Sequence, residues 1–269
     1  MIKAAVLGSP ISHSLSPLLH RSAYEMLELE AEYEAIDLKP EGAEDFFRQA
    51  VSEDWTGFSL TMPLKESIIE VAATLGFEVE DAAKTARSGN TVVRRADNFY
   101  VTSTDRTGFI RLFEEVKKDR VAIIGGGGTA RAALAALDGT GKEIDFLLRT
   151  PTRSDSLRAI ASSSNLHFFD MSHPLEGYDL IIATVPAGAS DEIAAGLRGP
   201  IPVLCEVLYN PYPTKLLQRA AELGAKTIDG VDLLVEQALD QIALFTGKTF
   251  EYSAMRNSLL TVARSKLHS

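Results

Sequence analysis

The chain has 269 residues, 45% of them hydrophobic and 24% charged, so it is long enough to bury a core without disulfides or metal and to form about two domains. Its net charge of −10 excludes a generally basic surface, and with it non-specific binding to nucleic acid or an anionic membrane, though not a local basic pocket. One cysteine, Cys205, excludes an intrachain disulfide framework and fits a reducing, cytoplasmic setting. No apolar run reaches the length of a membrane span, and the first nine residues do not read as a signal peptide.

In chain order, residues 2–8 (IKAAVLG) read as a buried strand ending in glycine. After the loop SPISHSLSP a helix opens at Ser16-Pro17, with Ser16 expected as its cap. Residues 33–38 read as a strand, 43–51 as a helix, 57–63 as a strand leaving into a turn, and 64–75 as a helix followed by a loop. A strand pair is expected at 90–95 and 99–103 around Asp97-Asn98, then an amphipathic helix over 107–118. A second pattern begins at Arg120: strand VAIIG, a glycine-rich turn into a helix, strand 144–149, helix 154–162, strands 179–185 and 202–209, helix 213–223 and the short strand KTID. Two helices, 231–246 and 253–267, finish the chain. Strands alternating with helices imply an α/β protein with a parallel sheet in each half and a boundary near 103–106.

The second half carries strand–GxGxxA–helix, the context a dinucleotide site requires. Gly125 permits the tight turn, Gly127 lets the backbone approach a pyrophosphate, and Ala130 lets the helix pack closely on the strand. The helix N-terminus at Gly128 and Thr129 adds N–H groups and a positive dipole end. An NAD site would place a carboxylate at the end of the next strand. Here that strand ends in Arg149-Thr150, with Arg153 following. Two guanidinium groups suit a 2′-phosphate, because each donates a planar pair of hydrogen bonds, and this favours NADP.

The first half places small polar groups and charges at element ends: Ser14 and Ser16, Thr61 and Lys65, Asn90, and Thr104-Asp105. Lys65 falls in the first turn of a helix, where the dipole disfavours a cation. Asp105, just before a helix, is in its plainest reading an N-cap.

These segments occur in one order: GSPISHSLSPLLH (8–20), SLTMPLK (59–65), GNT (89–91), STDRTG (103–108), GGGGTARA (125–132), RTPTR (149–153), YNPYPTKLLQRA (209–220) and GVDLLVEQA (230–238). In this the chain resembles the shikimate dehydrogenases along nearly all its length. The resemblance implies reversible NADPH-dependent reduction of 3-dehydroshikimate to shikimate, a step of aromatic amino acid biosynthesis. It implies a substrate-binding domain over 1–104, a Rossmann-type NADP-binding domain over 105–232, and C-terminal helices (233–269) returning to the first domain. It assigns the substrate carboxylate to Ser14 and Ser16, and the ring hydroxyls to Thr61, Lys65, Asn90, Asp105 and Gln237. Lys65 and Asp105 match the catalytic pair, and Tyr209 matches a tyrosine at the substrate cleft. Thr184 and Gly230 join the glycine loop and the arginines as cofactor-binding positions.

Some positions depart from the family pattern: Ser103 and Leu148 stand where Asn is common, Glu206 where Asp is typical, Leu233 where Met is common, and Val185-Pro186-Ala187 where a small polar loop is usual. Two alternatives remain: a quinate/shikimate dehydrogenase, and a non-catalytic NADPH-binding regulator on the same fold, which would not need both Lys65 and Asp105. No metal site is expected, since His13, His20, His167, His173 and His268 lack a paired ligand spacing. The expected partners are small molecules, with the protein a monomer or homodimer. Replacing Lys65 by Ala is expected to lower kcat with little loss of folding.

Overall fold

The structure is a computed structural model and describes residues 1–161 and 163–268. The chain divides into two compact units, residues 1–107 with 234–269, and residues 108–233. Within the described residues each unit holds one six-stranded sheet.

The first unit contains β1 (Ile2–Gly8), α1 (Ser16–Met26), β2 (Ala31–Asp37), α2 (Pro40–Ala50), β3 (Gly57–Leu60), α3 (Leu64–Leu75), β4 (Glu78–Val79), α4 (Asp81–Ala86), β5 (Thr91–Arg95), β6 (Asn98–Thr102) and the start of α5 (Thr104–Leu112). The second unit holds β7 (Arg120–Ile124), α6 (Gly128–Leu137), β8 (Glu143–Leu147), α7 (Ser154–Arg158), β9 (Asn165–Phe169), β10 (Leu180–Ala183), α8 (Asp191–Gly196), β11 (Val203–Glu206), α9 (Lys215–Glu222) and β12 (Lys226–Ile228). Helix α10 (Gly230–Thr246) enters the first unit at Leu234, and α11 (Tyr252–Leu267) packs there against α1.

The first sheet runs β2-β1-β3-β5-β6-β4. It is mixed, which corrects the expectation of a parallel sheet in each half. β1 lies parallel to β2 and β3, but β5 is antiparallel to both β3 and β6. The reason is the short connection. Only Ala96 and Asp97 separate β5 from β6, with Ala96 at φ 51°, and a two-residue loop joins antiparallel strands, whereas a parallel pair needs a long crossover. On one sheet face Ala5 and Leu7 of β1 join Phe47, Phe58, Leu64, Ile68, Phe77 and Phe99 in an apolar cluster. Its rings meet edge to face, with Phe47–Phe58 and Phe77–Phe99 centroids both 5.4 Å apart, a favoured aromatic geometry. Ala4 and Val6 alternate to the other face and are buried too, so β1 reads as a continuous apolar run.

The second sheet is parallel throughout, ordered β12-β11-β10-β7-β8-β9. Counted from β7, this is the 3-2-1-4-5-6 order of the dinucleotide-binding fold. The strand order reverses between β7 and β10, which puts Gly125 and Thr184 side by side just past their C-terminal ends.

Other local differences have simple causes. The helix expected over 107–118 runs Thr104–Leu112 instead, because Ser103 starts it early: its Oγ accepts from Arg106 N at 3.4 Å. β4, α4, α8 and β9 fall where no element is expected; the first three have only two or six residues, too short for a periodic pattern to show. The helix expected over 154–162 ends at Arg158, and Ser162 lies outside the described residues.

Candidate active site

In the first unit the chemistry-bearing residues gather beyond the C-terminal ends of β1 and β3. Ser9 N donates to Met62 O at 3.1 Å, and Thr61 N donates to Leu7 O at 2.9 Å, so the 8–20 loop and the 61–65 turn are held side by side. The packing is close enough that a Cβ on Gly8 would lie 2.4 Å from Thr61 Cγ2. Gly89 N donates to Lys65 O at 2.9 Å, which brings in the segment carrying Asn90.

At the centre, Lys65 Nζ donates to Asp105 Oδ2 at 2.6 Å. The Lys65 side chain is 16% exposed and that of Asp105 5%. Asn90 organises the rest. Its Oδ1 accepts from the backbone N–H of Thr104 (2.7 Å) and Asp105 (3.2 Å). Since those groups can only donate, the amide orientation is forced, and Nδ2 faces Thr104 Oγ1 (2.9 Å), Asp105 Oδ1 (3.1 Å) and Gln237 Oε1 (3.2 Å). Asn90 thus caps α5 from the position just before β5. This corrects the N-cap reading of Asp105, which lies inside the first turn with its carboxylate turned to Lys65 and Asn90. Ser16 is likewise not a cap. It is the first residue of α1, after Leu15 at the cap position, and its N–H donates to Ser14 Oγ at 3.3 Å. Ser14 is half-buried and Ser16 buried.

Behind this cluster lies a buried polar chain that sequence reasoning missed. Gln241, fully buried and one turn after Gln237 on α10, donates from Nε2 to Asn90 O (3.3 Å) and Thr91 Oγ1 (2.9 Å). Its Oε1 accepts from Ser59 Oγ (2.7 Å) and faces His20 Nε2 (3.3 Å). Tyr33 donates to Ser59 Oγ at 2.7 Å and stacks on the His20 ring, centroids 3.9 Å apart. Burial lowers His20 from 6.5 to about 3, against the opposing hydrogen bond with Gln241, and pushes the Tyr24 and Tyr33 hydroxyls well above the usual tyrosine range. The only sequence signal for Gln241 is its four-residue spacing from Gln237, which puts both on one helix face.

In the second unit, the chain leaves β7 through Gly125, at φ 107°, where a Cβ would lie 2.6 Å from Thr184 Oγ1. Only glycine suits that backbone and that space. Thr184 holds its side of the switch point by donating from both N and Oγ1 to Ile124 O at 2.9 Å. Helix α6 begins at Gly128 with Gly127 at its cap, a residue with no side chain to cap it, and no acidic residue occupies the first turn. Thr129 is half-buried and Ala130 fully buried under the helix. Past β8, Arg149, Thr150 and Arg153 are exposed, and Arg153 Nη1 donates to Gly126 O at 2.8 Å, laying its guanidinium along the glycine loop. These residues fit a dinucleotide with a phosphate on its ribose. The donor set is cationic, and the loop has no Cβ where a pyrophosphate must approach.

Gly230 packs against Val207 and Leu208, where a Cβ would lie 2.5 Å from backbone atoms, and half-buried Tyr209 follows directly. Glu206 is buried and joins Ser190 Oγ (3.2 Å) to Thr214 Oγ1, the cap of α9; burial raises its carboxyl despite both hydrogen bonds. Burial likewise raises the Cys205 thiol, with Asp232, Asp229 and Glu206 adding to the effect. Leu148 and Leu233 are both buried. The structure therefore brings Lys65, Asp105, Asn90 and Gln237 into direct contact, sets Thr61 beside the loop of Ser14 and Ser16, and puts Tyr209, Thr184 and Gly230 in the other unit. Among the described residues, no group of three or more His, Cys, Asp or Glu side chains is arranged to hold a metal, and no helix is long and apolar enough to cross a membrane.

Residues 6–92 match the family model described as the shikimate dehydrogenase substrate binding domain. A shikimate dehydrogenase (NADP(+)) of Bacillus cereus is 30% identical over 272 residues, covering 95% of this chain and 96% of that protein. The one from Exiguobacterium is 33% identical over 249 residues, covering 90% and 92%. Among solved structures, shikimate 5-dehydrogenase of Thermus thermophilus in complex with shikimate is 28% identical, with a TM-score of 0.85 and full coverage of both chains. With such likeness running the length of both units, the chain belongs to the shikimate dehydrogenase family.

Proposed function

We propose that this chain catalyses the reversible NADP-dependent interconversion of shikimate and 3-dehydroshikimate, with the first unit binding substrate and the second NADP. The observation that carries the reading is the Lys65–Asp105 pair at 2.6 Å, joined through Asn90 to Gln237. Relatives named shikimate dehydrogenase (NADP(+)) and a Thermus thermophilus structure with NADP(H) and shikimate support it. The exposed Arg149 and Arg153 support NADP over NAD. The protein acts in the cytoplasm as a monomer or homodimer; its one cysteine, buried and reluctant to ionise, is compatible with that compartment.

The reaction turns a ring ketone into an alcohol, so negative charge grows on one oxygen and must be met by a cation and a proton. Lys65 provides both from one atom, Nζ. Asp105 fixes that atom with one carboxylate oxygen, while Asn90 steadies the other. Because Asn90 also caps α5, Asp105 sits on a backbone that its own partner anchors. Asn90, Gln237 and Thr61 supply amide and hydroxyl groups that tell ring hydroxyls apart, and Ser14 and Ser16 hold the substrate carboxylate. Bound NADPH supplies the hydride; Gly125, Gly127, Gly128, Thr129, Ala130, Thr184 and Gly230 would line its site, with Arg149, Thr150 and Arg153 on the 2′-phosphate.

The test is steady-state kinetics with shikimate and quinate, each with NADP and NAD. The reading predicts the highest kcat/KM for shikimate with NADP. Tight NADPH binding without turnover would leave a regulator, and a preference for quinate would reassign the substrate.

A further inference from the structure

Resting on that reading, we propose that Gln241 is a positioning residue of the reaction: through Asn90 and Thr91 it sets where the Lys65–Asp105 pair stands, and His20 fixes which way its amide points.

The argument follows donors and acceptors. Asn90 O can only accept, and at 3.3 Å from the Gln241 amide it must face Nε2. Gln241 Oε1 then points to Ser59 and His20, both of which must donate to it. His20 is therefore the neutral tautomer with its proton on Nε2, and Nδ1 accepts from Tyr24 OH at 3.2 Å. Burial, which holds His20 neutral down to about 3, keeps this arrangement single-valued across the working pH range. Tyr33 supports it by donating to Ser59. Every heteroatom of this chain is buried, where a misplaced donor is costly, so the chain has one low-energy setting.

That setting reaches the reacting groups. Asn90 O accepts from Leu60 N (2.7 Å) and Gln241 Nε2, which clamps the Asn90 backbone between β3 and α10. The Asn90 side chain transmits the position to Thr104 N, Asp105 N and Asp105 Oδ1. Gln241 touches neither Lys65 nor Asp105 by any hydrogen bond described, so it acts through Asn90.

The test is Gln241→Met, similar in volume but without donor or acceptor, assayed well below its Tm. An active-site displacement of a fraction of an ångström predicts a kcat lowered about 10- to 100-fold and a raised KM for shikimate, with KM for NADP unchanged. A merely structural role would lower Tm and the active fraction and leave KM for shikimate alone. Should Gln241→Met not fold, Gln241→Leu serves: it is shorter, stays uncharged in the buried site and likewise lacks the donor to Asn90 and Thr91, and the same kinetic loss is expected. Wild-type kcat and shikimate KM in either folded variant would overturn the proposal. Wild-type turnover of shikimate is the separate control: its absence would sink the functional reading instead.

Discussion

Removing the Lys65 ammonium separates what the ion pair does for folding from what it does for chemistry. Asp105 keeps 5% side-chain exposure, so Lys65→Ala leaves a carboxylate nearly out of water. Breaking a buried pair by deleting one partner costs about 3–5 kcal/mol. Two features put this case toward the lower end: Lys65 is itself 16% exposed, so some water reaches the site, and Asn90 still donates to Asp105. A loss of about 3 kcal/mol is a large share of the roughly 5–15 kcal/mol that a domain has. It revises the expectation, drawn from sequence alone, that this change would spare folding. Adding Asp105→Asn removes the orphaned charge and should recover most of the stability. It should not recover activity, because the ammonium proposed to meet the oxygen and supply its proton is gone; kcat stays about 10²–10⁴-fold down in both variants. Urea unfolding of the wild type, both single variants and the double gives the coupling, and NADP reduction by shikimate gives kcat. A stability loss below about 1 kcal/mol, as for an exposed pair, would refute the burial argument. A near-normal kcat in Lys65→Ala would refute the role of its ammonium.

Two further outcomes follow from the geometry. Arg149→Ala should raise KM for NADP about tenfold, the worth of a hydrogen bond to a charged group, with far less effect on KM for NAD; equal effects would take Arg149 away from the 2′-phosphate. His20 should make stability fall on acidification. The unfolded histidine binds its proton below 6.5 while the folded one stays neutral to about 3, so the unfolded state holds more protons between those values. Stability is then lost as pH drops through that window, by up to about 1.4 kcal/mol per pH unit. Urea midpoints from pH 7 to 4 for wild type and His20→Phe would show it, and identical slopes would contradict it.

What could be read before folding depended on the range of the interaction. The glycine loop was legible because a strand, a turn and a helix start lie within a dozen residues, and their order carries the meaning. Lys65 and Asp105 were legible only through the sequence segments around them; their 40-residue separation has no local signature. His20 and Gln241 are 221 residues apart. Neither looks special until α10 returns to the first unit and buries both, which is why His20 was weighed only as a metal ligand and Gln241 went unremarked. The mixed sheet was missed for a related reason. The β5–β6 hairpin was visible in its alternation, but its pairing with β3 joins residues as far apart as Gly57 and Val93, which alternation does not name.

The hairpin that ends in this site has a lever-like asymmetry. Asn90 and Thr104 flank its open end, where Thr91 pairs with Thr102, while the turn at Ala96 and Asp97 closes the other end, about 17 Å away at ordinary strand rise. Length added at the tip leaves the pairing that aligns Asn90 with α5 untouched, whereas one residue added beside Thr91 or Thr102 would slide it. The distal turn is therefore a place to attach a reporter, with an unchanged KM for shikimate as the sign that the near end has not moved. The same loop length that makes β5 and β6 antiparallel separates the part of the chain free to vary from the part that must not.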